Sequence, residues 1–160
     1  MAKARQIAIS NGLALNALEA GSGQPLIMIP GWSQTAAEFG LNIDALSEGR
    51  HVIALDMRGH GDSPKPGGGY RIQRLAQDLA EVIAALGFNQ VDLLGHSMGS
   101  SIIWSYLDLH GPARLRKLVI VDQAPMATAM PAWGASEKLR YGCVWPDAQA
   151  LSSFVGLVLR

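Results

Sequence analysis

Val91-Asp92-Leu93-Leu94-Gly95-His96-Ser97-Met98-Gly99-Ser100-Ser101-Ile102-Ile103 is the stretch whose reading decides the fold. A short apolar run enters a Gly-x-Ser-x-Gly pentad. A segment with Ile102, Ile103, Tyr106 and Leu107 at helical spacing leaves it. In a strand-to-helix turn this tight the serine is forced into a strained backbone conformation. The residues two before and two after it pass too close for a side chain, hence Gly95 and Gly99. Ser100 and Ser101 keep the first helical turn slim. The pentad alone is weak, since the chain holds 18 glycines. Its flanks give it meaning. The Ser97 hydroxyl would stand at a helix N-terminus, where partial positive charge favours a developing anion.

Outward from the pentad, strands and helices alternate. Gln6-Ile7-Ala8-Ile9 and 13–18 flank Asn11-Gly12, a pair suited to a tight hairpin turn. Leu26-Ile27-Met28-Ile29 and His51-Val52-Ile53-Ala54-Leu55 are unbroken apolar runs, as expected of strands covered on both faces. Between them the pattern predicts a helix over 35–46. Ile72, Leu75, Leu79, Val82, Ile83 and Leu86 form one stripe at three- and four-residue steps, predicting a helix over 71–86 closed by Gly87. The helix leaving the pentad runs from Met98 to His110 and stops at Gly111-Pro112. Leu118-Val119-Ile120-Val121 is a further strand, ending in Asp122. An opening hairpin followed by strand–helix alternation predicts an α/β fold with a mostly parallel sheet and helices on both faces. The core is expected over 1–125. The alternation breaks over 126–160, which reads as an irregular tail or the beginning of a helical cap.

Composition narrows the function classes. The chain has 160 residues, 13 basic and 13 acidic, with 49% apolar and 16% charged. That excludes global disorder. Zero net charge argues against a general nucleic-acid binder. No run of 18 apolar residues exists, which excludes a transmembrane helix. The first six residues lack a secretory apolar segment, and the single Cys143 cannot close an internal disulfide. A cytoplasmic home is expected. Without Cys-x-x-Cys or His-Glu-x-x-His, no metal or other cofactor is expected.

Three segments together resemble the α/β-hydrolase superfamily, in its esterase and haloperoxidase-like branch, over roughly 6–125. Gly95-His96-Ser97-Met98-Gly99 matches the nucleophile elbow. Pro30-Gly31-Trp32 looks like the oxyanion loop, with Pro30 where many members carry His. Asp56-Met57-Arg58-Gly59-His60-Gly61-Asp62-Ser63 is similar to the loop after the fourth strand. The resemblance implies that Ser97 is the nucleophile of acyl transfer on a small-molecule ester substrate. The Met98 and Trp32 N–H groups, next to Gly31, would hold the oxyanion. A serine nucleophile argues against the dehalogenase and epoxide-hydrolase chemistry of the same superfamily. His60 and Arg58 read as architectural, and His96 as a structural or pocket-wall residue.

The superfamily's order is Ser, then acid, then His. Asp122 is a candidate acid, with Asp147 as an alternative. Downstream of Ser97 the only histidine is His110, at the far end of the exit helix, roughly 18 Å away. It cannot be the base. The chain is therefore expected to be the N-terminal portion of a hydrolase, truncated before the last strands. The alternative is an inactive binding or interaction module on the same fold. Trp32, Trp133 and Trp145 are candidates for an apolar pocket. The Leu118-Val119-Ile120-Val121 strand is expected to be an exposed edge, a template for self-association.

Overall fold

The computed structural model describes residues 1–123, and backbone contacts divide the chain after Asp122. The expected boundary at 125/126, the tail beyond it, and Trp133, Cys143, Trp145 and Asp147 lie outside the described residues. The strands are β1 (Lys3–Ala8), β2 (Ala14–Ala20), β3 (Gln24–Ile29), β4 (Arg50–Leu55), β5 (Val91–His96) and β6 (Leu115–Val121). They form one sheet in the order β1-β2-β4-β3-β5-β6. β2 runs antiparallel to both β1 and β4. β4, β3, β5 and β6 are mutually parallel. The helices are α1 (Gly40–Ser47), α2 (Ile72–Ala85) and α3 (Met98–His110). This is the α/β architecture with an opening hairpin that the sequence pattern implies.

Alternate side chains of the central strands face opposite sides of the sheet. Ile27, Ile29, Ile53, Leu55 and Leu93 pack against Leu79 and Ile83 of α2 and Ile102, Ile103 and Tyr106 of α3. Leu26, Met28, Val52 and Ala54 pack on the other side against Ala36, Phe39 and Ile43. Both faces of β4 are filled, which is why Val52 to Leu55 shows no polar alternation in the sequence.

Two local expectations change. The hairpin is wider than a two-residue Asn-Gly turn. Ser10–Gly12 forms a short 3-10 turn, the Ile9 N–H donates to Leu13 O at 2.8 Å, and Gly12 carries the positive φ (69°). The helix expected over 35–46 is split. A 3-10 turn, Ala36–Phe39, precedes α1, and the Thr35 hydroxyl accepts the Ala37 N–H at its start. The α2 stripe holds: Leu75, Leu79, Val82 and Ile83 are buried, and Gly87 closes the helix at φ 72°.

Candidate active site

Ligands of open parallel sheets bind outside the carboxyl ends of the strands. At that end, β5 passes into α3 through Ser97, whose backbone sits at φ 47°, ψ −114°. A serine pays for that region of backbone space with strain. The turn is pinned on three sides. The Ser97 N–H donates to Val121 O at 2.9 Å, and its carbonyl accepts from Ser100 N–H at 2.9 Å. The buried Ser100 hydroxyl donates to Gly95 O at 2.6 Å. The flanking glycines have no room for a side chain. A Cβ on Gly95 would lie 2.6 Å from Gly99 C, and one on Gly99 would lie 2.2 Å from Ile29 O.

The loop after β3 packs directly on this turn. A Cβ on Gly31 would stand 3.1 Å from His96 Nδ1 and 3.5 Å from Ser97 Cβ. The loop is itself a turn, closed by the Gln34 N–H on Gly31 O at 3.2 Å, with Ser33 at φ 59°. Its N–H groups divide by use. Gly31 N–H donates to Glu38 Oε2 at 3.1 Å, and Ser33 N–H donates to His60 Nε2 at 3.1 Å. The N–H groups of Trp32, between these two, and of Met98, after Ser97, have no hydrogen-bond partner among the described residues. Two backbone donors, one next to Ser97 in the chain and one on the loop packed against it, are therefore uncommitted.

The loop after β4 is a brace. Asp56 accepts from Asn16 Nδ2 at 2.9 Å, Ala36 N–H at 2.6 Å and Asp62 N–H at 2.9 Å. It thus fixes β2, the turn that carries Glu38, and its own loop. A Cβ on Gly61 would meet Asp56 Oδ2 at 2.2 Å, so the tight crossing requires glycine. Arg58 is buried and grips Asp78 of α2 with two bonds of 2.7 Å. His60 takes the Ser33 N–H on Nε2, so its ring proton is on Nδ1, 3.0 Å from Arg58 O. Both residues are architectural.

Asp122 follows the carbonyl that receives the Ser97 N–H, because His96 and Val121 are partners in the β5–β6 register. It is exposed, at φ 51°. Trp32 is 57% exposed. It does not line the cavity of about 350 Å³ on the α1 side, whose walls are Met28, Phe39, Leu46, Leu94 and Val121. Glu38, Asn42 and His96 are its polar members. All four histidines of the chain are described. His51 pairs with Glu19, His60 holds Ser33, His96 faces Glu38, and His110 ends α3 against Tyr106.

Glu38 is the functional candidate that sequence reasoning missed. A signal existed: Thr35-Ala36-Ala37-Glu38 has the Thr-x-x-Glu form of a helix capping box. That reading would have sent Glu38 back to the Thr35 N–H. In the structure its carboxylate turns to Gly31 and His96 instead.

The profile of the alpha/beta hydrolase fold matches residues 24–140. A soluble epoxide hydrolase of Corynebacterium sp. (strain C12) is 37% identical over 74% of this chain and 41% of its own length. A non-heme haloperoxidase of Rhodococcus erythropolis is 33% identical over 74% of this chain and 44% of its own. Among solved structures, an esterase from Exiguobacterium antarcticum superposes with a TM-score of 0.75 at 35% identity, over 80% of this chain and 48% of that one. The chain thus spans less than half the length of these relatives. With the strand–turn–helix around Ser97 and the sheet order in place, the chain belongs to the α/β-hydrolase superfamily.

Proposed function

We propose that Ser97 is the nucleophile of a serine hydrolase acting on a small ester or related acyl substrate. The observation that carries this reading is the strained Ser97 at the turn from β5 to α3, with the Met98 N–H after it and the Trp32 N–H on the loop packed against it both without a partner among the described residues. Ser97 Oγ bonds to the substrate carbonyl carbon and gives up its proton. The carbonyl oxygen takes the charge between the two N–H groups. Collapse expels the alcohol, which recovers a proton, and water then releases the acid from the acyl-serine. Each oxyanion donor in such sites is worth about 3–4 kcal/mol of barrier.

The serine also separates this reading from epoxide opening, the activity named for one relative. A carboxylate that opens an epoxide forms an ester, which water cleaves. A serine would form an ether, which water does not cleave, and turnover would end. Asp122, level with Ser97 at the strand ends, is the proposed acid. Among the described residues no histidine is placed to be the base at Ser97: His51, His60 and His96 face other partners, and His110 lies at the far end of α3. A second reading is an inactive small-molecule binding module on the same fold.

A screen of short and medium p-nitrophenyl esters decides between them. Poorly activated Ser97 should give faint turnover, about 10³–10⁴-fold over water, as remains when one triad member is lost. Ser97→Ala should abolish it. Turnover that survives Ser97→Ala would refute the nucleophile. No turnover on any ester, with ester binding retained, would favour the binding module.

A further inference from the structure

Glu38 lies between the two halves of the site. Its Oε2 accepts the Gly31 N–H at 3.1 Å, and its Oε1 is paired with His96 Nδ1. Gly31 precedes the Trp32 donor, and His96 precedes the nucleophile. His96 Nδ1 is buried with no aligned hydrogen-bond partner, and the Glu38 carboxylate is the charged group against it. The turn that carries Glu38 is itself held, through the Ala36 N–H, by Asp56. On the other side of Trp32, Ser33 is held by His60.

We propose that Glu38, acting with His96, is a positioning residue that locks the oxyanion loop onto the nucleophile elbow and so fixes the Trp32 N–H relative to Ser97. The inference rests on the serine reading above. Three features give it physical content. The hydrogen bond from Gly31 to the carboxylate is charge-assisted, roughly twice as strong as a neutral one, and the other oxygen lies in close contact with His96 Nδ1, so one side chain touches both segments. The loop is short, and both neighbours of Trp32 are tied by side chains, which leaves its N–H little freedom to turn. Each Glu38 oxygen faces a nitrogen on a different one of the two segments, Gly31 N on the loop and His96 Nδ1 before the nucleophile. Preorganised donors lose much of their effect when displaced by a fraction of an ångström to an ångström.

The test is covalent labelling of the full chain with an alkyl fluorophosphonate, followed by intact mass. Ser97 Oγ bonds to phosphorus, fluoride leaves, and the hydroxyl proton passes to solvent. The phosphonyl oxygen occupies the oxyanion position. Saturation kinetics separate reagent binding from the maximal labelling rate. Glu38→Ala should lower the maximal rate about tenfold or more, short of the 10²–10³-fold lost when a donor is removed outright. The half-saturating concentration should stay within about twofold, because reagent binding does not use the oxyanion contact. Glu38→Gln keeps an acceptor for Gly31 and should recover most of the rate. His96→Phe, the second variant should Glu38→Ala not fold, should slow labelling in the same sense. The double variant should be no slower than Glu38→Ala, because the two act as one unit. Equal rates in the parent and both folded single variants would overturn the bridge while leaving the serine reading intact. No labelling of the parent would sink the serine reading and this inference with it.

Discussion

Ser97 occupies backbone space that glycine adopts freely and other residues adopt at a cost of about 1–3 kcal/mol. Nothing in the packing requires a hydroxyl there, because the turn is pinned by its backbone and by Ser100. Stability and chemistry therefore oppose each other at this residue. Ser97→Gly should raise the free energy of unfolding by about 1 kcal/mol, reduced by glycine's freedom in the unfolded chain, while removing all labelling by a fluorophosphonate. Urea unfolding checks the first part, and a destabilised Ser97→Gly would mean the φ of 47° carries no strain. Gly99 is the opposite case. Its missing Cβ leaves room for the Ile29 carbonyl, and that backbone atom cannot rotate away. Gly99→Ala should cost at least about 1–3 kcal/mol, the range for overpacking a rigid site. A melting temperature within a degree of the parent would refute it.

At the scale of elements, β6 ends the described sheet. It pairs with β5 on one side, and among the described residues nothing pairs with its other side. Leu118, Val119 and Val121 are 37%, 47% and 40% exposed. Arg116 and Lys117 at its start are weak protection, since Arg116 is drawn back onto Asp92. We propose that the chain self-associates through this edge, which predicts sedimentation that rises with concentration, and a shift to monomer in Val119→Lys, with the charge placed mid-edge. A parent that stays monomeric up to its solubility limit would contradict this. Much of this layer was legible in the sequence. The stripe on α2, the apolar runs of β3 and β4, and the glycines around Ser97 each follow from one local rule. What stayed hidden depends on partners far along the chain. The break at Gly40, the wider hairpin turn and the reach of Glu38 to residues 7 and 58 positions away are decided by tertiary contacts, which propensity and period do not encode. Nor does the sequence signal that Trp32 leaves the α1-side cavity to Met28, Leu94 and Val121.

At the scale of the whole described fold, three acidic side chains add polar ties between elements that also share the apolar core. Asp92 at the start of β5 receives Arg50 of β4 and Arg116 of β6. Glu19 of β2 receives Arg5 of β1 and His51 of β4. Glu81 of α2 accepts the Ser10 N–H of the hairpin turn and pairs with Arg74. Burial alone would raise all three carboxyls. The N–H and guanidinium groups around them outweigh it, so that Asp92 and Glu19 lie below their ordinary values and Glu81 falls to about 2. A carboxyl depressed in the folded state contributes stability above its unfolded value, and that contribution is lost as pH falls through the folded one. For Glu81 the window runs from about 4.5 down to about 2 and is worth on the order of 3 kcal/mol at most. The chain should hold its stability from neutrality to about pH 5 and lose it steeply below. Glu81→Gln should be less stable than the parent at pH 7, with the gap closing as pH approaches 2. Urea unfolding of both proteins at pH 7, 4 and 2.5 reads that gap directly. A gap that stays constant across the series would show that Glu81 acts by packing, and that its bond to the hairpin turn is no stronger charged than neutral.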